Sequence, residues 1–124
     1  NFVEFDLNNK SHRTYGKIAN VGKNPVSVLM DGELHVIGGF EHSKHLRWKN
    51  DTKEFIEHEM TEGPQYHIIQ GHGVVVLQKK KQIILFGGNE GNIWNGYINS
   101  MWICNKVQEF EDGDSNNKYI WKRL

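Results

Sequence analysis

Two stretches of this chain follow one plan: "VSVLMDGELHVIGGFE" and "VVVLQKKKQIILFGGNE". Each is a short apolar run, a polar turn, a second apolar run, a glycine pair and an acid. The pairs are Gly38-Gly39 and Gly87-Gly88, 49 residues apart. A pattern that recurs at such a period signals a repeated supersecondary unit, and the repeat must be settled before the fold is read. Before the first pair lie Val26–Met30, Asp31-Gly32 and Glu33–Ile37. Asp-Gly between apolar runs is a hairpin signal, because a type I′ turn needs positive φ at both central residues. Before the second lie Val74–Leu77, a polar turn around Lys79–Lys81, and Gln82–Phe86. The runs are short and rich in Val and Ile, and they fit strands buried on both faces better than helices.

After each glycine pair comes a polar loop and then a second strand pair. In the first unit the loop is "FEHSK", and "HLRWKN" and "KEFIEHEM" turn at Asp51-Thr52. In the second the loop is "NEGNIWNG", and "YINSMWICN" and "KYIWKRL" are separated by a polar insert over 106–117. The start, "FVEFDL", "NNK", "RTYGKIA", reads as the second half of an earlier unit. The units are therefore 1–19 (a half), 20–60 and 61–124, all β, with no convincing helix. Pro25 and Pro64 each stand at the entry to a unit, ahead of its first hairpin, where a chain passing between sheets has no ladder hydrogen bond to lose.

The period, the hairpin ending in Gly-Gly and an aromatic on the fourth strand resemble the kelch repeat. The fourth-strand aromatics are Tyr15, Phe55 and Trp121, of which only Trp121 is the residue usual in that family. The resemblance implies a β-propeller of four-stranded antiparallel blades. A propeller closes with roughly 4–8 blades of about 50 residues, so 124 residues are expected to be a slice of a larger one. In such a fold glycine permits positive φ and lets a neighbouring backbone approach. No helix start follows either pair, so a phosphate cradle is not expected.

Composition narrows the function classes. Hydrophobic residues make up 37% and charged residues 24%, a globular balance rather than a disordered one. Lys plus Arg and Asp plus Glu each number 15, so no global basic field attracts nucleic acid. No apolar run reaches membrane-spanning length, and no membrane partner is expected. Cys104 is the single cysteine, which fits a reducing, cytoplasmic compartment. The sequons at Asn9 and Asn50 read as chance.

Few residues suggest chemistry. His42-Ser43-Lys44-His45 has a spacing that can bind metal on a helix, but here it spans a loop and a strand start; solvated loop histidines are the plainer reading. Asp112, Asp114 and Asn116 imitate a calcium loop, but Asn117 and Arg123 stand where glycine and glutamate belong; a flexible acidic loop is expected. Cys104 reads as a small hydrophobe with no base to activate it, and Trp48, Trp102 and Trp121 read as sheet packing. No catalytic group, metal or cofactor is assigned.

By the kelch resemblance, the loops after the second strands and the connections between blades carry partner binding. The first set holds Phe40, Glu41, His42 and Lys44, with Asn89, Glu90, Asn92, Trp94 and Tyr97. The second is Asn20–Asn24 and Thr61–Gln70. Trp94 stands in a Gly/Asn-rich loop, and loops on rigid sheets often carry function. The implied function is non-catalytic: a scaffold or adaptor binding a protein partner, completed by further blades. The alternatives are a propeller oxidase or lyase with its site mostly in missing blades, a carbohydrate-binding propeller with Trp94 as a stacking platform, and a complete small sandwich or barrel that merely repeats.

Overall fold

The structure is a computed structural model; it describes residues 2–15, 24–40, 44–60, 68–70, 72–90, 101–111 and 114–124. Alternating apolar residues and left-handed turns divide these into strands β1 (Phe2–Asp6), β2 (Ser11–Tyr15), β3 (Val26–Met30), β4 (Glu33–Phe40), β5 (Lys44–Lys49), β6 (Glu54–His58), β7 (Ile68–Gln70), β8 (Gly73–Leu77), β9 (Gln82–Phe86), β10 (Asn89–Glu90), β11 (Met101–Glu111) and β12 (Asp114–Arg123). The fold is all-β and every strand pair is antiparallel. A 3-10 turn, Gln78–Lys80, links β8 to β9.

Two four-stranded meanders dominate: β3-β4-β5-β6 and β8-β9-β11-β12. Asp31 and Gly32 both have positive φ, 54° and 75°, as the hairpin joining β3 to β4 requires. Lys81, at φ 52°, closes the 3-10 turn before β9. β1 and β2 form a separate hairpin against the first meander. Phe2 stacks on Trp48 (4.6 Å) and meets Phe55 edge-on (5.3 Å), and Tyr15 meets Trp48 edge-on (5.1 Å).

The hydrophobic core lies between the two meanders. The first contributes Met30 and Ile37 with Val26 and Val28; the second contributes Ile83, Leu85, Trp102, Cys104, Tyr119 and Trp121 with Val74 and Val76. Fully burying one such aliphatic side chain stabilises a fold by about 1.5–3 kcal/mol. The repeats do not bury equivalent positions. His35 and Ile37 stand three and one residues before their glycine pair; Ile83 and Leu85 stand four and two before theirs. Since side chains alternate across a strand, the two sheets present opposite faces to their shared interface. The far face of the first sheet, with Trp48 and Phe55, takes the β1-β2 hairpin. The far face of the second carries Val75, Phe86, Met101 and Ile120 exposed.

The glycine pairs do more than end a strand. Gly38, Gly39, Gly87 and Gly88 all have positive φ, between 66° and 118°. β4 runs on through its pair and changes partner there: Gly38 pairs with Lys44 of β5, whereas Gly39 and Phe40 pair with Ile69 and Ile68 of β7. A Cβ at Gly87 would meet no atom within 4 Å, so its requirement is conformational rather than one of space. Gly87→Ala is expected to cost about 1–2 kcal/mol, the penalty of a left-handed alanine, read as a shift in the urea midpoint.

The polar stretch at 106–117 differs from the expected loop. β11 and β12 stay paired from Trp102↔Arg123 to Glu111↔Asp114, past Asn105, the last β11 residue paired with β9. Asp114–Asn117 thus belong to a strand rather than a flexible acidic loop. Asp112 and Gly113, between the paired ends, lie outside the described residues. Apolar alternation is weak in this ribbon, and that concealed the strands.

Candidate functional site: converging loops and a buried histidine cluster

Of the expected loop residues, the glycine exits bring Phe40, Asn89 and Glu90 into one sheet. β7 lies between β4 and β10: Gly39 and Phe40 pair on one side of it, Asn89 and Glu90 on the other. Segments from both repeats therefore meet across Ile68–Gln70, part of the connection between them. The described parts of the two sets, Phe40 with Asn89 and Glu90 from the first and Ile68–Gln70 from the second, are joined here by strand pairing. Lys44 opens β5 and its ammonium lies 3.0 Å from Glu57. Glu41, His42, Asn92, Trp94 and Tyr97 fall outside the described residues, as do 20–23 and 61–67. Tyr15 stands on β2, Phe55 on β6 and Trp121 on β12. Trp121 is fully buried, whereas Tyr15 and Phe55 share one cluster with Phe2 and Trp48.

A second assembly went unrecognised in the sequence. His35, His45 and His72 are buried, and His35 and His45 are 0% exposed; for His45 this overturns the expectation of a solvated loop histidine. The reason is register: Ile37 pairs with His45, which pairs with His58, and His35 pairs with Arg47. All of these side chains share the face turned toward the second sheet. The alternation in "ELHVIGG", with His35 two residues before Ile37, was the signal available in the sequence.

Hydrogen bonds order the cluster. Trp121 Nε1–H donates to His45 Nδ1 across the sheet interface at 3.2 Å. An indole nitrogen can only donate, so His45 Nδ1 is an acceptor, and neutral His45 carries its proton on Nε2. That proton points to His35 Nδ1, 2.9 Å away. Neutral His35 is then protonated on Nε2, which is buried without a hydrogen-bond partner among the described residues, as is the Tyr119 hydroxyl. Arg47 Nε–H donates to His58 Nε2 at 3.0 Å, so neutral His58 is the Nδ1–H tautomer. Arg47 also pairs with Glu33 and lies 5.8 Å above the Tyr119 ring.

Burial pushes His35 down to about 4, against the pull of the Glu33 carboxylate. Burial, then the Arg47 charge, pushes His58 down to about 4. Burial holds His45 well below 6.5. Burial raises the Cys104 thiol to about 12, which leaves it without nucleophilic character at neutral pH. Tyr119 is raised by burial and by Glu33.

A polar seam closes the same interface at its turn end. Lys106 Nζ donates to Asp31 Oδ2 at 2.7 Å and lies 3.6 Å from Glu33; Lys81 lies 3.5 Å from Asp31. The Lys106 hydrogen bond and charge, then the Lys81 charge, hold the Asp31 carboxyl below its ordinary value. The Gln78 side chain donates to the Leu29 carbonyl at 2.8 Å and accepts from the Asp31 amide at 3.2 Å. An open cavity of about 520 Å³ lies between the hairpin and the first sheet, lined among others by Phe2, Leu29, Leu34 and Trp48.

Among the described residues no group of three or more His, Cys, Asp or Glu side chains is arranged to hold a metal ion. No helix among them is long and apolar enough to cross a membrane. No family model matches the chain, and no curated protein matches it.

Proposed function

We propose that the chain is part of a kelch-type β-propeller and works as a non-catalytic protein–protein interaction module. Each four-stranded meander is one blade, and the β1-β2 hairpin is the outer half of another. The observation that carries the reading is the convergence of the two post-glycine segments on Ile68–Gln70. It turns loops from successive repeats into one surface on a sheet scaffold, the kind of place where binding residues concentrate. The exposed Val75, Phe86, Met101 and Ile120 support the propeller part, because an apolar sheet face of this kind suits a further blade. The cavity beside Leu29 has the position that the inner strands of the hairpin's own blade would take. The partner is a protein, contacted through Phe40–Lys44 and Asn89–Tyr97, with Trp94 as the aromatic anchor.

The test starts from crosslinking capture, after which the captured protein is prepared pure and its affinity for this chain is measured. Trp94→Ala and Glu90→Lys are each expected to weaken binding at least tenfold while leaving the urea unfolding midpoint unchanged. Unchanged affinity in both variants would remove the assignment of this face. Stoichiometric copper or iron in the full-length protein would favour a propeller enzyme instead. Glycan binding lost in Trp94→Ala would favour a carbohydrate-binding propeller.

A further inference from the structure

Three histidines from adjacent strands stand in one row at the interface: His35 on β4, His45 on β5 and His58 on β6. Their rings lie against Tyr119 of β12, at 5.1, 5.3 and 4.5 Å between centroids. His45 also meets the Trp121 ring edge-on at 5.6 Å. The charged and titratable groups around the row are few. β4 supplies Glu33, β5 Arg47, β11 Cys104 and Lys106, β12 Tyr119, and the β3-β4 turn Asp31. The two carboxylates are already engaged: Glu33 by Arg47 and Lys106, Asp31 by Lys106 and Lys81. Among the described residues the row therefore faces two cations, Arg47 and Lys106, and no uncommitted anion.

Each hydrogen bond of the row needs a neutral imidazole as its acceptor: His45 Nδ1, His35 Nδ1 and His58 Nε2. A proton added at His45 Nδ1 would face the Trp121 N–H, donor against donor. A proton added at His58 Nε2 would face the Arg47 N–H in the same way. A proton added at His35 Nδ1 would face the proton that His45 already carries on Nε2. Every protonation thus replaces a hydrogen bond by a repulsion inside the contact that joins the two sheets.

We propose that the His35–His45–His58 row is an acid-sensitive latch between the two four-stranded sheets, closed while the imidazoles are neutral and released when they take up protons. The reaction is proton uptake from solvent, with no other bond made or broken. Its pH range follows from linkage. In the closed form the imidazoles titrate below their ordinary 6.5, so the opened form binds more protons. The closed state is then fully favoured above about pH 6.5 and loses ground as pH falls toward about 4. Asp and Glu side chains of ordinary pKa remain mostly ionised in the upper part of this window, between about pH 6.5 and 5, so a change there belongs to histidine.

Cys104 offers a direct reporter. It is the single cysteine, fully buried, and packed in the core between the sheets. A disulfide reagent active in acid, dithiodipyridine, is applied at pH 7 and at pH 5. Each rate is divided by that of a small cysteine peptide under the same conditions. The normalised rate is expected to rise at least tenfold from pH 7 to pH 5, although the thiolate fraction of any thiol falls over that range. The rise is expected to shrink at least threefold in His58→Gln, which alters only the half-buried end of the row. Should that variant fail to fold, histidine NMR titration of the wild-type chain decides. Three imidazoles titrating below about pH 5 support the latch. Titration near 6.5 with the fold intact overturns it, as does a normalised labelling rate that stays flat between pH 7 and 5.

Discussion

Trp121→Ala is expected to lower the unfolding free energy by about 3–5 kcal/mol, the range for truncating a buried aromatic. The side chain is the largest of those fully buried, and it sits where the two sheets meet. Its removal opens a cavity among Ile83, Cys104 and Tyr119, and a rigid sheet pair closes only part of that space. It also deprives His45 Nδ1 of its donor, and a buried acceptor left alone costs about 1–3 kcal/mol by itself. Trp121→Phe separates the two effects. It keeps much of the ring volume and loses the N–H, so about half of the alanine effect is expected to remain. Urea denaturation at pH 7.5 measures both. Domains of this size are stable by about 5–15 kcal/mol in total, so the alanine variant would stand near the edge of folding. A loss below about 1 kcal/mol would contradict the central place given to this residue.

Arg47→Met is expected to cost about 2–3 kcal/mol at neutral pH, the next largest effect. Arg47 is mostly buried and does three things at once. It pairs with Glu33, donates to His58 and lies over the Tyr119 ring. Methionine keeps the stem packing and removes the charge, which leaves Glu33 with Lys106 as its remaining cation. Charge-assisted hydrogen bonds of this kind contribute about 1.5–3 kcal/mol, and leaving a part-buried carboxylate underpaired adds to the loss. A double-mutant cycle with Glu33→Gln should return a coupling of about 1 kcal/mol or more, since the residues touch. The sign at His58 is also determined. Arg47 lowers its pKa through its charge, so in Arg47→Met the His58 resonance should titrate closer to its ordinary 6.5. An unmoved or lowered His58 titration would show that the Arg47 contact is not maintained in solution.

The parts of the fold that were legible in the sequence are those set by neighbours along the chain. Val26–Met30 and Gln82–Phe86 occur as strands with the boundaries that their apolar runs mark. Asp31-Gly32 turns as its side chains allow, and the glycine pairs adopt the positive φ that only glycine takes without strain. The pairing of β11 with β12 was expected, but its extension through 106–111 and 114–117 was missed because those residues are mostly polar. A ladder needs backbone partners rather than apolar side chains, so alternation was the wrong test there. The role of the glycine pairs was also incomplete. The sequence marks an exit from β4, but the pairing of Gly39 and Phe40 with β7 depends on a segment about 30 residues further on.

The candidate site divides in the same way. Phe40, Lys44, Asn89 and Glu90 were identifiable from their place after the glycines, while their meeting across Ile68–Gln70 was not. The histidines show the limit most plainly. His45 stands beside Lys44 in a polar stretch and looked solvated, yet it is fully buried because β5 is an interior strand whose near face meets Trp121 and Tyr119. Sequence alone determined an all-β chain of repeated hairpins, because strand period and turn conformation are local properties of a few residues. Tertiary structure decided which face of each sheet turns inward, and so which histidines lose water and which glycine exits converge. Both faces of each repeat are apolar enough to be buried, and only the packing of one sheet on the next selects between them.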